Sequence, residues 1–185
     1  YKNKLNELLE SKNIYEKNIV DFTNNEKNLD TVFLSDCIIS EVGRYKSQFE
    51  KDNFNVNINL KKRIVELDYE IVDFMNADLK EYGSNNKSKK IPEKEATKII
   101  IGAVKSISVK FGYIISEIVA KTEIEQIFLK GKQEWYSPVD GSSQSGVIVM
   151  IKAKKETFNK LNLSRVQVDL CFNGLKGKCF TNPFN

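Results

Sequence analysis

Asn53-Phe54-Asn55-Val56-Asn57-Ile58-Asn59-Leu60 alternates an amide with an apolar residue at every step. Successive side chains of a strand point to opposite faces, so this period of two describes a half-buried strand with a polar outer face. Val65, Leu67, Tyr69 and Ile71 then alternate with Glu66, Asp68 and Glu70, and a second strand is expected beside the first. Lys61-Lys62-Arg63 would be the turn between them, although it lacks the Gly or Asn that hairpin turns prefer. A helix over residues 64 to 82 is the competing reading, since Ile64, Leu67, Ile71, Phe74, Met75 and Leu79 also fit a helical period.

Upstream of the alternation the period is helical. Leu5, Leu8, Leu9, Tyr15, Ile19 and Phe22 predict a helix over about residues 2 to 22, and Leu29 to Phe49 a second. With a turn at Thr23-Asn24-Asn25-Glu26, residues 1 to 50 read as a helical hairpin or arm, and residues 51 to 185 as an α+β domain. Downstream, Gly83 to Lys90 is polar throughout and reads as a loop. Pro92, Glu93 and Glu95 open a long helix ending near Phe111-Gly112, because Pro is tolerated in a first turn and carboxylates favour the positive end of the dipole. Strands are expected over Tyr113 to Val119, Glu123 to Tyr136, Gly146 to Lys152 and Arg165 to Phe172, with a short helix at Lys155 to Leu161. Without a βαβ rhythm, the fold class is α+β: a helical hairpin, then a mainly antiparallel sheet packed with one long helix.

Composition narrows the function classes. The 185 residues include no His, which removes the commonest general base and transition-metal ligand. The net charge of +4 is unevenly divided. Residues 1 to 82 carry 12 basic against 16 acidic side chains, and residues 83 to 185 carry 17 against 9. A basic half suits an anionic partner, and a nucleic-acid- or anion-binding module is the alternative reading. Only Arg44, Arg63 and Arg165 supply the planar fork that phosphates and guanine edges favour, so nucleic acid is not the expected partner. The longest apolar runs, such as Val147 to Ile151, are core-sized, and no transmembrane span is expected.

The residues that could carry chemistry are few. Glu66, Asp68 and Glu70 share one face of a strand, where paired carboxylates could do acid/base work or simply meet solvent. Asp140 ahead of Ile151-Lys152-Ala153-Lys154 imitates a nuclease core but lacks its second acid. No glycine-rich phosphate motif is present, and Cys37 has no His to activate it. No cofactor and no enzymatic activity are expected. Cys171 and Cys179 flank a turn-like segment with two glycines, and a disulfide between them is sterically plausible; reduced thiols are the alternative. Trp135 and Tyr136, beside Lys130 and Lys132, form a candidate interaction cluster that could stack bases, meet a membrane interface or anchor the core. Lys87, Lys89 and Lys90 form a second, suited to polar contact with the acidic half of another copy.

One segment looks familiar. The helix with Glu95-Ala96-Thr97-Lys98, the run Leu129-Lys130-Gly131-Lys132-Gln133-Glu134-Trp135-Tyr136, the Asp140-Gly141 turn, Val147-Ile148-Val149-Met150-Ile151 and the Lys155-Glu156 helix start follow one another over residues 92 to 162. This order resembles the LPP20 family of bacterial lipoproteins, which includes outer-membrane and flagellar basal-disk lipoproteins. Ile and Ser replace the family's Ala-rich helix, the turn is longer, and residues 1 to 50 have no counterpart in it. The resemblance implies a non-enzymatic structural protein of the cell envelope, in the periplasm or at the outer membrane. It would self-assemble as an oligomer or bind other envelope proteins, and a lipid anchor on a Cys upstream of Tyr1 would associate it with the membrane.

Overall fold

A computed structural model describes residues 30–46, 50–71, 80–82, 88–137 and 139–180. The chain divides into two units, residues 1–34 and 35–185, and the division falls inside the first described helix, α1 (Thr31–Arg44). Asp30 starts that helix, its Oδ1 accepting the backbone N–H groups of Val32 and Phe33 at 3.0 and 3.2 Å. The helix expected over residues 2 to 22, and with it the hairpin, lies outside the described residues.

The second unit is α+β. Strand β1 (Glu50–Asn59), β2 (Ile64–Ile71), β5 (Gln126–Tyr136), β6 (Ser143–Lys154) and β7 (Lys178–Cys179) form one sheet in the order β1-β2-β5-β6-β7. All neighbours are antiparallel except β2 and β5, which run parallel from Ile64↔Gln126 to Ile71↔Gln133. The quoted alternation is therefore a strand, and Val65 to Ile71 is its hairpin partner rather than a helix. The turn closes without Gly because Asn59 Oδ1 accepts the N–H of Lys62 at 3.0 Å and Arg63 adopts a positive φ of 52°. A parallel pair needs a crossover, supplied by a second, two-stranded sheet, β3 (Lys80–Tyr82) with β4 (Ser88–Lys90), followed by the helix α2 (Glu93–Ile118). Ser88 to Lys90, expected as loop, are thus strand.

Two further expectations are corrected. Helix α2 runs through Gly112 to Ile118, so Tyr113 to Val119 is not a strand. Buried Ala96, Ile100, Val104, Ile107, Phe111 and Ile115 keep a three- to four-residue step across the glycine. Gly112 is there for packing: a Cβ would lie 2.2 Å from Cε1 of Phe158, in α3 (Lys155–Asn159). Arg165 to Phe172 does not close the sheet either, since Val168–Gly174 is a helix, α4. Its alternation was misleading because Leu170 is exposed while Phe172 and Leu175, three apart, are buried.

The core lies between α2 and the sheet face bearing Val65, Leu67, Tyr69, Ile71, Ile127, Leu129, Val149 and Ile151, all buried. Phe111 meets Tyr69 and Phe54 edge-on, with ring centroids 5.3 and 5.8 Å away. Each such pair contributes about 1 kcal/mol beyond its burial. Gly131 makes room in this layer, where a Cβ would sit 2.4 Å from Val149 Cγ1 and 2.6 Å from Ile71 Cδ1. By length and composition α2 is also apolar enough to cross a membrane, although Lys105 and Lys110 break its apolar run and so hide it in the sequence. Half of that stretch is buried inside the fold.

Candidate assembly surface

The second face of the sheet carries the polar half of the β1 and β2 alternations, with Lys130 and Lys132 of β5; Phe128 and Met150 share it. Register sets Asn55 opposite Asp68 and Asn57 opposite Glu66 on one side of β2, and Asp68 opposite Lys130 and Glu70 opposite Lys132 on the other. A column of acids therefore stands between a column of amides and a column of lysines. Lys130 Nζ lies 3.1 Å from Glu66 and 3.6 Å from Asp68, and Lys132 Nζ lies 2.6 Å from Asp68. At the far end Asn53 donates to Glu70 at 2.6 Å, while Lys51 bridges Glu70 and Glu134 at 3.3 and 3.7 Å. The pairs on Glu66 and Asp68 are half-buried but still reached by solvent, which screens them, and each stabilises by about 1 kcal/mol or less. Their larger effect is to neutralise the face: the carboxylates that could have done acid/base work hold cations instead, and Lys130 also lies 4.5 Å from the Phe128 ring centroid.

The other sequence candidates separate. Trp135 and Tyr136 are neighbours on a strand and point to opposite faces. The indole donates to Gln144 Oε1 at 3.2 Å and packs on Gly146, where a Cβ would come within 2.9 Å of the ring, whereas Tyr136 is exposed. They form no shared stacking platform, and Lys130 and Lys132 are already ion-paired. Lys89 and Lys90 lie on β4, opposite Glu81 and Lys80 in register; Lys87 lies outside the described residues. Cys171 on α4 and Cys179 on β7 are half-buried free thiols, as is Cys37. Burial pushes all three thiols up, further from the reactive thiolate. Asp140 builds its turn: bonds from Ser137 and from the Ser142 N–H and Oγ hold its carboxyl below the usual range, and Gly141 takes a φ of 70°. Among the described residues no group of three or more Cys, Asp or Glu is arranged to hold a metal ion.

What remains open is the rim of the sheet. Among the described residues no strand pairs with the outer edge of β1. At the other rim β7 covers only Val149 and Met150 of β6, with Phe180 adding an N–H to Ile148 O at 2.7 Å. No family model, curated protein or solved structure matches the chain. The rim must be read from its own chemistry. An unpaired edge offers a row of backbone donors and acceptors, and proteins that do not use such an edge blunt it with Lys, Pro or a bulge. From Asn53 to Asn59 β1 has no charged residue, no Pro and no Gly. Its ladder to β2 shifts register only before Phe54. The alternation exposed this strand in the sequence, but its edge position follows from the parallel β2–β5 pairing, which no local pattern encodes.

Proposed function

We propose that the chain is a non-enzymatic structural protein of the cell envelope that works by assembling with itself or with other envelope proteins. The observation that carries this reading is the outer edge of β1, which from Phe54 to Asn59 carries no charge, Pro or bulge and pairs with no strand among the described residues. The resemblance over residues 92 to 162 points the same way. The cysteines do not contribute, being free. The anion-binding alternative draws less support, because Lys130 and Lys132 spend their charge on Glu66 and Asp68. Fractionation of cells expressing the natural full-length gene tests the compartment: recovery with the envelope is expected, and recovery wholly in the cytosol rejects the reading. A filter-binding series at low salt tests the alternative, since binding through lysines weakens steeply as salt rises. No retention of nucleic acid is the expected result.

A further inference from the structure

The rim of the sheet narrows the choice of partner. We propose that the outer edge of β1 joins the same edge of a second copy, antiparallel, about a two-fold axis at Asn57. This pairing deepens the proposed assembly role and rests on it. Three observations point there.

The first is the match of faces. A strand added to β1 must put apolar residues against Phe54, Val56 and Ile58 and polar ones against the amides, because a slip of one residue reverses every side chain. With the axis at Asn57 a second β1 does this: Asn57 meets Asn57, Asn55 meets Asn59 and Val56 meets Ile58. Amides facing one another along strands form mutually bonded ladders.

The second is incomplete cover. Phe54, Val56 and Ile58 are only half-buried, although the residues opposite them on β2, Tyr69, Leu67 and Val65, are fully buried. Leu60, at the end of the strand, is 43% exposed. The two-fold pairing brings Leu60 beside Phe54 of the other copy and closes the apolar layer at both ends.

The third is charge. Asp52 stands exposed just before the amide run, and Lys61 and Lys62 stand exposed just after it. Asp52 pairs with Lys46 of its own copy, yet its side chain stays 79% exposed and open to a second cation. Antiparallel pairing about Asn57 sets each Asp52 beside the Lys61-Lys62 turn of the other copy, an attraction at both ends of the contact. Lys51 and Arg63, which would also approach, are already paired within their own copy with Glu70 and Glu125. An axis moved by two residues toward Asn55 carries Asp52 away from the lysines and leaves Leu60 uncovered.

Light scattering on the full chain tests the contact. The wild type is expected at twice the mass of the chain, and Asn57→Lys, which sets two cations together on the axis, at half that mass with an unchanged circular dichroism spectrum. Asp52→Lys should weaken the dimer, and adding Lys61→Asp and Lys62→Asp to it should restore it. The exchange decides the matter should Asn57→Lys fail to fold. A wild type that assembles equally well with Asn57→Lys, or an exchange without recovery, overturns the β1 contact while the assembly reading stands on another surface or partner. A wild type that stays monomeric at high micromolar concentration overturns self-pairing, and recovery with the envelope would then support assembly with other proteins alone.

Discussion

Tyr69 is the buried polar group on which the core turns. Its hydroxyl lies 2.6 Å from Ser108 Oγ, which itself donates to the Val104 carbonyl at 2.6 Å, so the pair is satisfied without water. Burial raises the Tyr69 pKa well above its ordinary value of 10.0; the Ser108 bond opposes this, and the charge of Glu50 adds to the rise. The folded protein therefore keeps a proton that the unfolded chain releases. The associated stability is whole below the unfolded value and is lost as pH climbs from there toward the folded one. Tyr69→Phe should cost about 1 kcal/mol at neutral pH and should flatten the alkaline decline. Urea midpoints measured at about pH 8 and about pH 10.5, either side of the ordinary Tyr value, check this. Equal declines in both proteins would show that Tyr69 is not the group responsible. Nothing local in the sequence marked Tyr69 as special, because its partner lies 39 residues away on α2.

Among the elements, α2 shows how one glycine can be misread and another ignored. Gly in a helix costs about 1 kcal/mol relative to Ala, so replacing it normally helps. Gly102 has open space where its Cβ would be, and Gly102→Ala should raise stability by about that amount. At Gly112 the Phe158 ring fills that space, and Gly112→Ala should instead destabilise by about 1–3 kcal/mol. Opposite shifts in melting temperature are the expected pair of results. The end of the helix depends on Lys155, whose Nζ donates to the carbonyls of Val119, Ala120 and Thr122 at 2.9–3.1 Å. Val119 caps the helix and Ala120 and Thr122 form the turn just past it, so the cation stands at the negative end of the dipole; Lys155→Met should cost about 1–3 kcal/mol by leaving these carbonyls without it, and thermal denaturation of the variant measures it. Strands β1, β2, β5 and β6 were legible because their alternation records one wet face and one dry face. The second half of α2 was not, since Gly112-Tyr113-Ile114-Ile115 has the punctuation of a helix end and the apolar run of a strand. Its role as a packing surface depends on Phe158, 46 positions on. Helix α4 was hidden for the opposite reason: Val166, Val168, Leu170 and Phe172 alternate, but only Phe172 is buried.

For the molecule as a whole, fold class was readable and strand order was not. The balance of acids and lysines on the outer face appears in the sequence as two distant charge runs, Glu66 to Glu70 and Lys130 to Lys132. Their neutralisation follows only from the parallel register of β2 with β5. That register also dictates timing. The β1–β2 hairpin closes over a four-residue turn and can form as soon as it is made, whereas Lys130 and Glu66 are 64 residues apart. Closing so long a loop before any reward makes parallel pairing slow. At a synthesis rate of about 5–20 residues per second, several seconds separate the emergence of β2 from that of β5. During that interval the edge of β2 that β5 will take is unpaired, and the apolar face of Val65, Leu67, Tyr69 and Ile71 lacks the cover of α2. A nascent chain of this protein is thus most exposed to premature pairing with its neighbours on the same message, and the ribosomal holding factors that shield apolar strands would have their longest task here.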